Sequence, residues 1–333
     1  MYLKKYDLSG QSAFVTGGGR GIGLCAAEAL LEAGARVVIS DIDVSLLQSA
    51  KAALAGKGEV AAVALDVTDP GAVAAAAREA NARFGAIDIL IANAGIAWPD
   101  TGGESMTDEV WRKVIDIDLN GAYWSCREFG RAMLARGRGS IVTIGSMSGI
   151  ISNKPQRQAH YNAAKAGVHH MTKSLAGEWA ERGVRVNCVA PTYVDTLMSS
   201  GAFSNPALYP VWMEMTPMKR VARPDEIASA ILFLASDASS AMTGSSSMIR
   251  TSVATCAAIS RPASVMNFVT SSTPTSRISA TSSSENPSTV CRRKAWRERG
   301  VSRSRVRWPG SLSGSPVGVE LRGTDSHNLM KSR

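Results

Sequence analysis

A glycine-rich turn near the start of the chain constrains the fold more than any other feature. Residues 12–16 form a short apolar run typical of a buried strand, and G-G-G-R-G-I-G follows at once at 17–23. A helical stretch at 24–33 comes next, then a second apolar run at 36–40 that ends on Asp41. Strand, glycine turn, helix, strand and acid in this order form a dinucleotide-binding unit. The sequence therefore predicts an α/β fold built on a parallel sheet.

The turn also indicates which cofactor it binds. Its glycines let the backbone approach a pyrophosphate, and the helix that follows offers free N–H groups. Asp41 is placed to accept hydrogen bonds from both ribose hydroxyls, and its charge would repel a 2′-phosphate. Arg20 favours the opposite choice, because its cation could pair with that phosphate. We therefore expect NAD, with NADP the less favoured cofactor. The predicted contacts in the turn are Gly17, Gly19, Arg20, Gly21, Ile22 and Gly23.

A second stretch, at 141–166, carries the groups expected to do chemistry. Its apolar run ends before Ser146, which places that hydroxyl at the carboxyl end of a strand, where such sheets bind ligands. Tyr161 and Lys165 are four residues apart and so share one face of a helix. We expect the ammonium to lower the pKa of Tyr161 from about 10 toward working pH, which makes the phenolate a general base. An ordinary surface Tyr–Lys pair is the alternative.

Strands and helices alternate between these two stretches and beyond them. Further strands are predicted at 59–65, 87–92 and 184–189, with helices at 73–84 and 110–134. This pattern predicts a Rossmann-type, doubly wound sheet with flanking helices in a single domain. The helix at 110–134 contains Asn120, a poor helix former. We interpret Asn120 as a polar hinge facing the site, and a tolerated surface residue is the alternative.

The charge balance divides the chain at residue 247. Residues 1–247 carry 23 Lys and Arg against 24 Asp and Glu, a balance of −1, whereas residues 248–333 carry 14 against 4, a balance of +10. The second part also holds 26 Ser and Thr and no persistent apolar period. It is predicted to be disordered, because it cannot bury enough surface to offset the entropy of ordering. The sequence therefore predicts a catalytic domain at 1–247 and a Ser/Thr/Arg-rich tail at 248–333.

Two explanations could account for the tail. A basic arm for nucleic acid is one. The favoured one is a frameshift, since Val253-Ala254-Thr255 is what codons for Gly-Gly-Tyr spell when read one nucleotide late. A frameshift there would cost the domain its last strand, and a poorly folding, inactive protein is then a further alternative.

In combination, the motifs of residues 7–247 resemble the short-chain dehydrogenases/reductases. The resemblance rests on T-G-G-G-R-G-I-G at 16–23, N-A-G at 93–95, the Ser146, Tyr161 and Lys165 set, R-V-N-C-V-A-P at 185–191 and R-P-D-E-I-A at 223–228. It implies a catalytic tetrad of Asn120, Ser146, Tyr161 and Lys165. It further implies cofactor contacts at Asp66, Val67, Asn93, Ala94, Gly95, Tyr161, Lys165, Pro191, Val194 and Thr196. It also implies a homo-tetramer or dimer if the C-terminal region is intact. Thr192 departs from the glycine that this family usually has there, which is expected to narrow the nicotinamide pocket.

Within the family, residues 146–156 and 208–218 resemble polyol dehydrogenases of the galactitol type. Hydroxyl and amide groups at the mouth of the site suit a substrate with several hydroxyls. The predicted substrate contacts are Ser146, Ser148, Asn153 and Tyr161, with Gln156 beside them. Loop residues that cap their own backbone are the alternative. Residues 205–218 are interpreted as a mobile lid, with a plain surface helix as the alternative.

The predicted function is therefore NAD-dependent interconversion of a secondary alcohol and a ketone. A reductase of 3-oxoacyl thioesters is the nearest alternative, although acyl substrates need an apolar channel. The five cysteines show neither metal-binding spacing nor a paired framework, so we expect reduced thiols, no metal and a cytoplasmic protein. Apolar runs are too short for a membrane span, and neither nucleic acid nor a membrane is an expected partner.

Overall fold

The computed structural model describes residues 1–244 and the backbone of 249–250. Its strands are β1 (Ser12–Thr16), β2 (Arg36–Asp41), β3 (Val60–Ala64), β4 (Ile89–Ala92), β5 (Gly139–Ile144), β6 (Val184–Ala190) and β7 (Ile249–Arg250). They form one parallel sheet in the order β3-β2-β1-β4-β5-β6-β7. The chain reverses its direction of winding between β1 and β4, the point where sheets of this kind bind ligands. The predicted doubly wound α/β fold is confirmed.

Helices cover both faces of the sheet. They are α1 (Gly21–Glu32), α2 (Val44–Leu54), α3 (Pro70–Phe84), α4 (Asp108–Ile115), α5 (Gly121–Arg136), α6 (Ala159–Trp179), α7 (Ser200–Phe203), α8 (Tyr209–Met215) and α9 (Pro224–Ala235). Side chains alternate across each strand, so Phe14 and Val38 enter one apolar layer while Val15 and Ile39 enter the other. All four are buried. Strands buried on both faces explain the continuous apolar runs in the sequence.

The helix predicted at 110–134 is interrupted. A π-helical turn, Asp116–Asn120, separates α4 from α5, and the N–H of Gly121 donates to the carbonyl of Asp116. Gly121 permits close packing here, because a Cβ would meet Val67 Cγ2 at 2.7 Å. One extra residue in the turn rotates the side chains around it. A simple 3.6-residue period therefore misplaces the groups in this segment.

The far edge of the sheet carries a short seventh strand. β7 pairs in parallel with β6, Ile249 opposite Val189 and Arg250 opposite Ala190. The expectation that the last strand is missing is therefore wrong for these two residues, which pair through backbone groups as any residue can. Three expectations concern residues 248–333: the predicted tail, its frameshift origin and the alternative of a nucleic-acid-binding arm. Apart from the backbone of 249–250, these residues lie outside the part of the chain that the structure describes.

The helices of the described part of the chain are short or polar relative to a bilayer. None of them is both long and apolar enough to cross a membrane.

Candidate active site

Hydrogen bonds hold the glycine turn at 17–23 against the end of β4. The Asn93 amide donates to the carbonyl oxygens of Thr16 and Gly17, each at 2.9 Å. Gly17 has a φ of +61°, a conformation that favours glycine. A Cβ on Gly23 would overlap the carbonyl oxygen of Gly17. The sequence thus places glycine where the first turn of α1 must approach the turn backbone closely.

Asp41 closes the other side of this turn. Its carboxylate accepts the N–H of Gly19 at 3.1 Å and the N–H of Asp43 at 3.1 Å. A Cβ on Gly19 would meet Asp41 Oδ2 at 2.7 Å, so glycine is needed there for the acid to come close. Arg20 is the N-cap residue of α1 and makes no side-chain cap. The first N–H groups of α1 therefore have no intrahelical partner and can receive an anion.

A cavity of about 470 Å³ extends from the glycine turn to the end of β5. All the predicted cofactor residues line it except Gly19 and Gly23, which shape the turn itself. The lining thus includes Gly17, Arg20, Gly21, Ile22, Asp41, Asp66, Val67, Asn93, Ala94, Gly95, Tyr161, Lys165, Pro191, Val194 and Thr196. The glycine cradle, the free helix N-terminus and the acid at the end of β2 fit a dinucleotide.

Asp66 and Thr196 both line that cavity. The Asp66 carboxylate accepts the N–H and the hydroxyl of Thr68, at 2.9 Å and 2.7 Å. Thr196 lies over the glycine turn, since a Cβ on Gly21 would meet its Cγ2 at 3.4 Å.

The structure brings Ser146, Tyr161 and Lys165 together at the carboxyl end of β5. Ser146 follows the strand directly, and α6 presents Tyr161 and Lys165 from one face. The Lys165 ammonium donates to the carbonyl of Ile144 at 3.1 Å and lies 5.5 Å from the centre of the Tyr161 ring. Only 4% of Lys165 is exposed, so its charge acts with little screening by water.

The pKa of Tyr161 is shifted in the opposite direction from the sequence-based expectation. Burial raises the pKa of this phenol, and the charge of Asp118 raises it further. Lys165 and a hydrogen bond with Ser146 lower it, but they do not outweigh burial. The prediction that Lys165 alone brings the pKa of Tyr161 below its ordinary value is therefore wrong.

Asn120 does not join these groups. Its amide donates to the carboxylate of Asp116 at 2.7 Å on the exposed side of the π-helical turn, and it does not line the cavity. Asp118 occupies the buried side of that turn and lies 3.3 Å from the Lys165 ammonium. The structure therefore places Asp118, and not the predicted Asn120, beside Lys165.

Amide and hydroxyl groups line the mouth of the cavity, as predicted. The amide nitrogen of Gln158 lies 3.2 Å from both Ser148 Oγ and Asn153 Oδ1, and 3.0 Å from Asn162 Oδ1. The predicted residues Ser148 and Asn153 thus belong to one polar network. Gln158, which the sequence analysis missed, holds that network together. Its signal was weak, since a single glutamine before a helix has no pattern of its own.

Aromatic rings close the other side of the mouth. Trp212 on α8 stacks on Tyr193, with ring centres 4.0 Å apart and an interplanar angle of 9°. Its indole N–H donates to Gln156 Oε1 at 2.9 Å. Trp212 is buried, so residues 205–218 are not a plain surface helix. The Tyr193 hydroxyl is buried with no partner in hydrogen-bond geometry, and burial raises its pKa against a smaller opposing effect of Asn153.

The family follows from comparison with known proteins. A family model described as "Enoyl-(Acyl carrier protein) reductase" matches residues 17–250. A galactitol 2-dehydrogenase of Rhizobium johnstonii is 48% identical over 244 residues, covering 73% of this chain and 95% of the relative. This chain belongs to the short-chain dehydrogenases/reductases. It is an oxidoreductase, and its family uses a nicotinamide cofactor.

Two further comparisons agree with this assignment. A galactitol 2-dehydrogenase (L-tagatose-forming) of Cereibacter sphaeroides is 46% identical over 243 residues, covering 73% of this chain and 94% of the relative. The crystal structure of gox2181 superposes with a TM-score of 0.73 at 48% identity, covering 75% of this chain and 97% of the other. The resemblance to polyol dehydrogenases of the galactitol type is thus confirmed.

In this short-chain dehydrogenase, the ring of His169 contacts the backbone of Ser146. One ring nitrogen, Nε2, lies 2.8 Å from the carbonyl oxygen and 3.3 Å from the N–H of Ser146. Gly145 makes room for the ring, because a Cβ there would meet Nε2 at 2.7 Å. The sequence offered no motif for His169, since its contact arises only when α6 packs on β5.

Metal-binding groups are absent from the part of the chain that the structure describes. No group of three or more His, Cys, Asp or Glu residues there is close enough to hold an ion. Cys25, Cys126 and Cys188 are free thiols.

Proposed function

We propose that this dehydrogenase interconverts a polyol, or sugar alcohol, and the corresponding ketose, with NAD preferred to NADP. The observation that carries the proposal is the single cavity that joins the glycine turn, the Ser146, Tyr161 and Lys165 group and a polar mouth. The similarity to galactitol 2-dehydrogenases supports the substrate class.

Tyr161, Ser146 and Lys165 have different roles around the reacting carbon. A nicotinamide cofactor, when bound, accepts the hydride from the alcohol or returns it to the ketone. Tyr161, as phenolate, takes the proton of the substrate hydroxyl, and as phenol it gives the proton back. Ser146 donates a hydrogen bond to the oxygen whose charge changes. Lys165 supports the phenolate and would contact the nicotinamide ribose.

The mouth explains why a substrate with several hydroxyls is favoured. Ser148, Asn153 and Gln158 form a network of donors and acceptors, and the buried Tyr193 hydroxyl lies near Asn153 without completing a hydrogen bond of normal geometry. A buried hydroxyl without a hydrogen bond costs free energy, which a substrate hydroxyl would recover. A substrate lacking that hydroxyl would leave the cost in place.

Cofactor preference follows from Asp41. Its carboxylate lies at the end of β2 beside Gly19, where the adenosine ribose of a dinucleotide lies in this type of fold. A negative charge there disfavours the 2′-phosphate of NADP. Arg20 lines the same cavity and is the group that would favour NADP.

A reductase of 3-oxoacyl thioesters is the second candidate. Two apolar side chains that line the cavity, Leu197 and Met198, are 67% and 53% exposed. An acyl chain could cover them. The polar network at the mouth argues against this function.

One assay separates the two functions. Purified protein is given galactitol and other hexitols with NAD or NADP, and in parallel a 3-oxoacyl thioester with the reduced cofactors. We expect polyol oxidation with NAD, and we expect Asn153→Leu to reduce it by at least about tenfold, the loss typical of a missing polar contact to a substrate. A simple secondary alcohol, which has no second hydroxyl to bind, serves as the control for this variant. Turnover of the thioester without turnover of any polyol would reject the proposal.

Four further predictions from the sequence belong with this proposal. We propose a cytoplasmic protein with a catalytic domain at 1–247 and a tail that arose by a frameshift, and a homo-tetramer or dimer where the C-terminal region is intact. The charge change at residue 247 and the concealed Gly-Gly-Tyr codons support the frameshift. Sequencing the coding DNA around codon 248 tests it, since an extra or missing nucleotide is expected there. Gel filtration with light scattering tests the oligomeric state.

A further inference from the structure

Asp118 is a buried carboxylate in the wall of the active site. Only 1% of the residue is exposed, on the inner side of the π-helical turn. Oδ1 accepts the N–H of Ile96 at 2.8 Å, and Oδ2 lies 3.3 Å from the Lys165 ammonium. Gly95 permits this approach, since a Cβ there would meet Lys165 Nζ at 3.2 Å and the Asp118 oxygens at 3.4 Å.

The titratable groups that face this pair come from two elements. Helix α6 presents His160, Tyr161 and Lys165, and β6 presents Cys188. His169, also on α6, contacts Ser146 and Cys188. The acid and the ammonium are therefore enclosed with the proposed catalytic phenol, shielded from water.

Burial and the neighbouring charges have opposite effects on the pKa values of Asp118 and Lys165. Burial is the largest effect on Asp118 and leaves its pKa raised, although Lys165 and the Ile96 N–H oppose it. Burial lowers the pKa of Lys165, but Asp118 and Tyr161 outweigh it and raise the pKa of the ammonium. We take the pair as carboxylate and ammonium, because a buried carboxylate with a cation at 3.3 Å and a backbone donor is favoured in its charged form.

We propose that Asp118 is a positioning residue that neutralises Lys165 and thereby keeps the proton on Tyr161 to higher pH. The proposal rests on the proposed function of Tyr161 as the proton acceptor. With Asp118 charged, the phenolate faces a net neutral pair instead of a lone cation. The site then holds Tyr161 ready to donate its proton, which favours ketone reduction, and alcohol oxidation needs alkaline conditions. In this role Asp118 itself neither gives up nor takes up a proton or an electron.

The sign of the effect is fixed by charge. Removing one buried negative charge makes every neighbouring proton easier to lose, on Tyr161 and on Lys165 alike. Asp118→Asn removes the charge while its amide oxygen can still accept the Ile96 N–H. Phenolate then forms at lower pH. Alcohol oxidation, which requires phenolate, therefore stays active at lower pH values, closer to neutral.

The experiment compares the parent with Asp118→Asn and with Asp116→Asn. Asp116 is on the same turn and has the same charge, but it faces solvent and pairs with Asn120. The ratio of kcat/KM for polyol oxidation at about pH 7 to that at about pH 10 is measured for each protein. We expect the ratio to rise about tenfold in Asp118→Asn, as expected for loss of a charge a few ångströms from the titrating group, and to stay unchanged in Asp116→Asn. Ketone reduction requires the protonated phenol, so its activity is expected to be lost at lower pH in Asp118→Asn than in the parent.

A second measurement does not depend on turnover. The ultraviolet absorbance of phenolate is titrated in the parent and in Asp118→Asn, each against its Tyr161→Phe counterpart, so that only Tyr161 contributes. Phenolate is expected at lower pH in Asp118→Asn. If no polyol is oxidised, the proposed function fails, and this titration still decides the role of Asp118.

Two results would overturn the inference. One is an identical titration of Tyr161 in parent and Asp118→Asn, which would mean that Asp118 is uncharged or too distant. The other is an equal shift in Asp116→Asn, which would reflect net charge instead of position. If Asp118→Asn fails to fold, Asp118→Ser is subjected to the same titration and the same criteria.

Discussion

The carboxylate of Asp41 accepts a hydrogen bond from the N–H of Gly19 at 3.1 Å. This contact holds the acid over the glycine turn, where the absent Cβ of Gly19 leaves room for it. Arg20, the next residue, lines the same cavity from the turn itself. We therefore propose that one carboxylate and one guanidinium decide the preference for NAD or NADP.

Cofactor preference is the first prediction. We expect the parent to show a higher kcat/KM with NAD than with NADP. Asp41→Ala is expected to raise the NADP to NAD ratio at least about tenfold, because a like charge beside the 2′-phosphate is removed. Steady-state kinetics with both cofactors measures it. Arg20→Ala is the paired variant and should lower the same ratio. A parent that prefers NADP would show that Arg20 governs the choice.

The second prediction concerns Tyr161→Phe. The substitution removes the proposed proton acceptor and leaves α6 and the glycine turn intact. We expect turnover to fall by about 10²–10⁴, the usual contribution of general acid–base catalysis. Cofactor affinity, measured by calorimetry, should change little. Tyr123→Phe, on the surface of α5, is the control and should retain full activity. Activity within a few fold of the parent in Tyr161→Phe would exclude the mechanism.

Prediction from the sequence succeeded best for features that depend on residues close together in the chain. The glycine turn, Asp41 and the Tyr161 to Lys165 spacing are all local patterns, and the structure brings these groups to one cavity. Asn120 was assigned from the family resemblance and as a poor helix former, whereas the folded π-helical turn buries Asp118 beside Lys165. Tyr193 and Trp212 meet only in the folded chain. Their stacking therefore had no signal in the sequence.

The third prediction sets two Gly→Ala substitutions against each other. A Cβ at Gly23 would overlap the Gly17 carbonyl, so Gly23→Ala should displace the turn and weaken cofactor binding at least about tenfold. Gly177, on the exposed side of α6, has no heavy atom within 4 Å of the place where a Cβ would lie. Gly177→Ala should therefore stabilise the fold by about 0.5–1 kcal/mol, the difference in helix propensity. Calorimetric titration and thermal melts check both, and equal cofactor affinity in Gly23→Ala would contradict the turn geometry.

The fourth prediction tests the mouth of the cavity. Tyr193→Phe removes the buried hydroxyl that has no partner and keeps the ring that stacks on Trp212. We expect KM for the polyol to rise about five- to tenfold with kcat nearly unchanged, the effect of one lost neutral hydrogen bond. Tyr209→Phe is the matched control, since its ring packs on Phe203 at 5.8 Å and does not line the cavity. An unchanged KM in Tyr193→Phe would show that the hydroxyl does not meet the substrate.

The last prediction concerns stability at low pH and the start of α9. The Glu226 carboxylate accepts the N–H of Arg223 at 2.7 Å and two N–H groups of Arg220 at 2.8 Å and 2.6 Å. Arg220 and then the Arg223 N–H lower the pKa of Glu226 to about 2. A depressed pKa in the folded state contributes stability above the unfolded value, and that stability is lost as the pH falls toward about 2. Glu226→Gln should therefore lower the Tm at neutral pH and match the parent near pH 2, as followed by thermal melts across this range. Asp225→Asn, which removes only an exposed pair with Arg223, should change the Tm much less. A constant difference in Tm between parent and Glu226→Gln at every pH would show that packing, and not the charge of Glu226, holds the helix start.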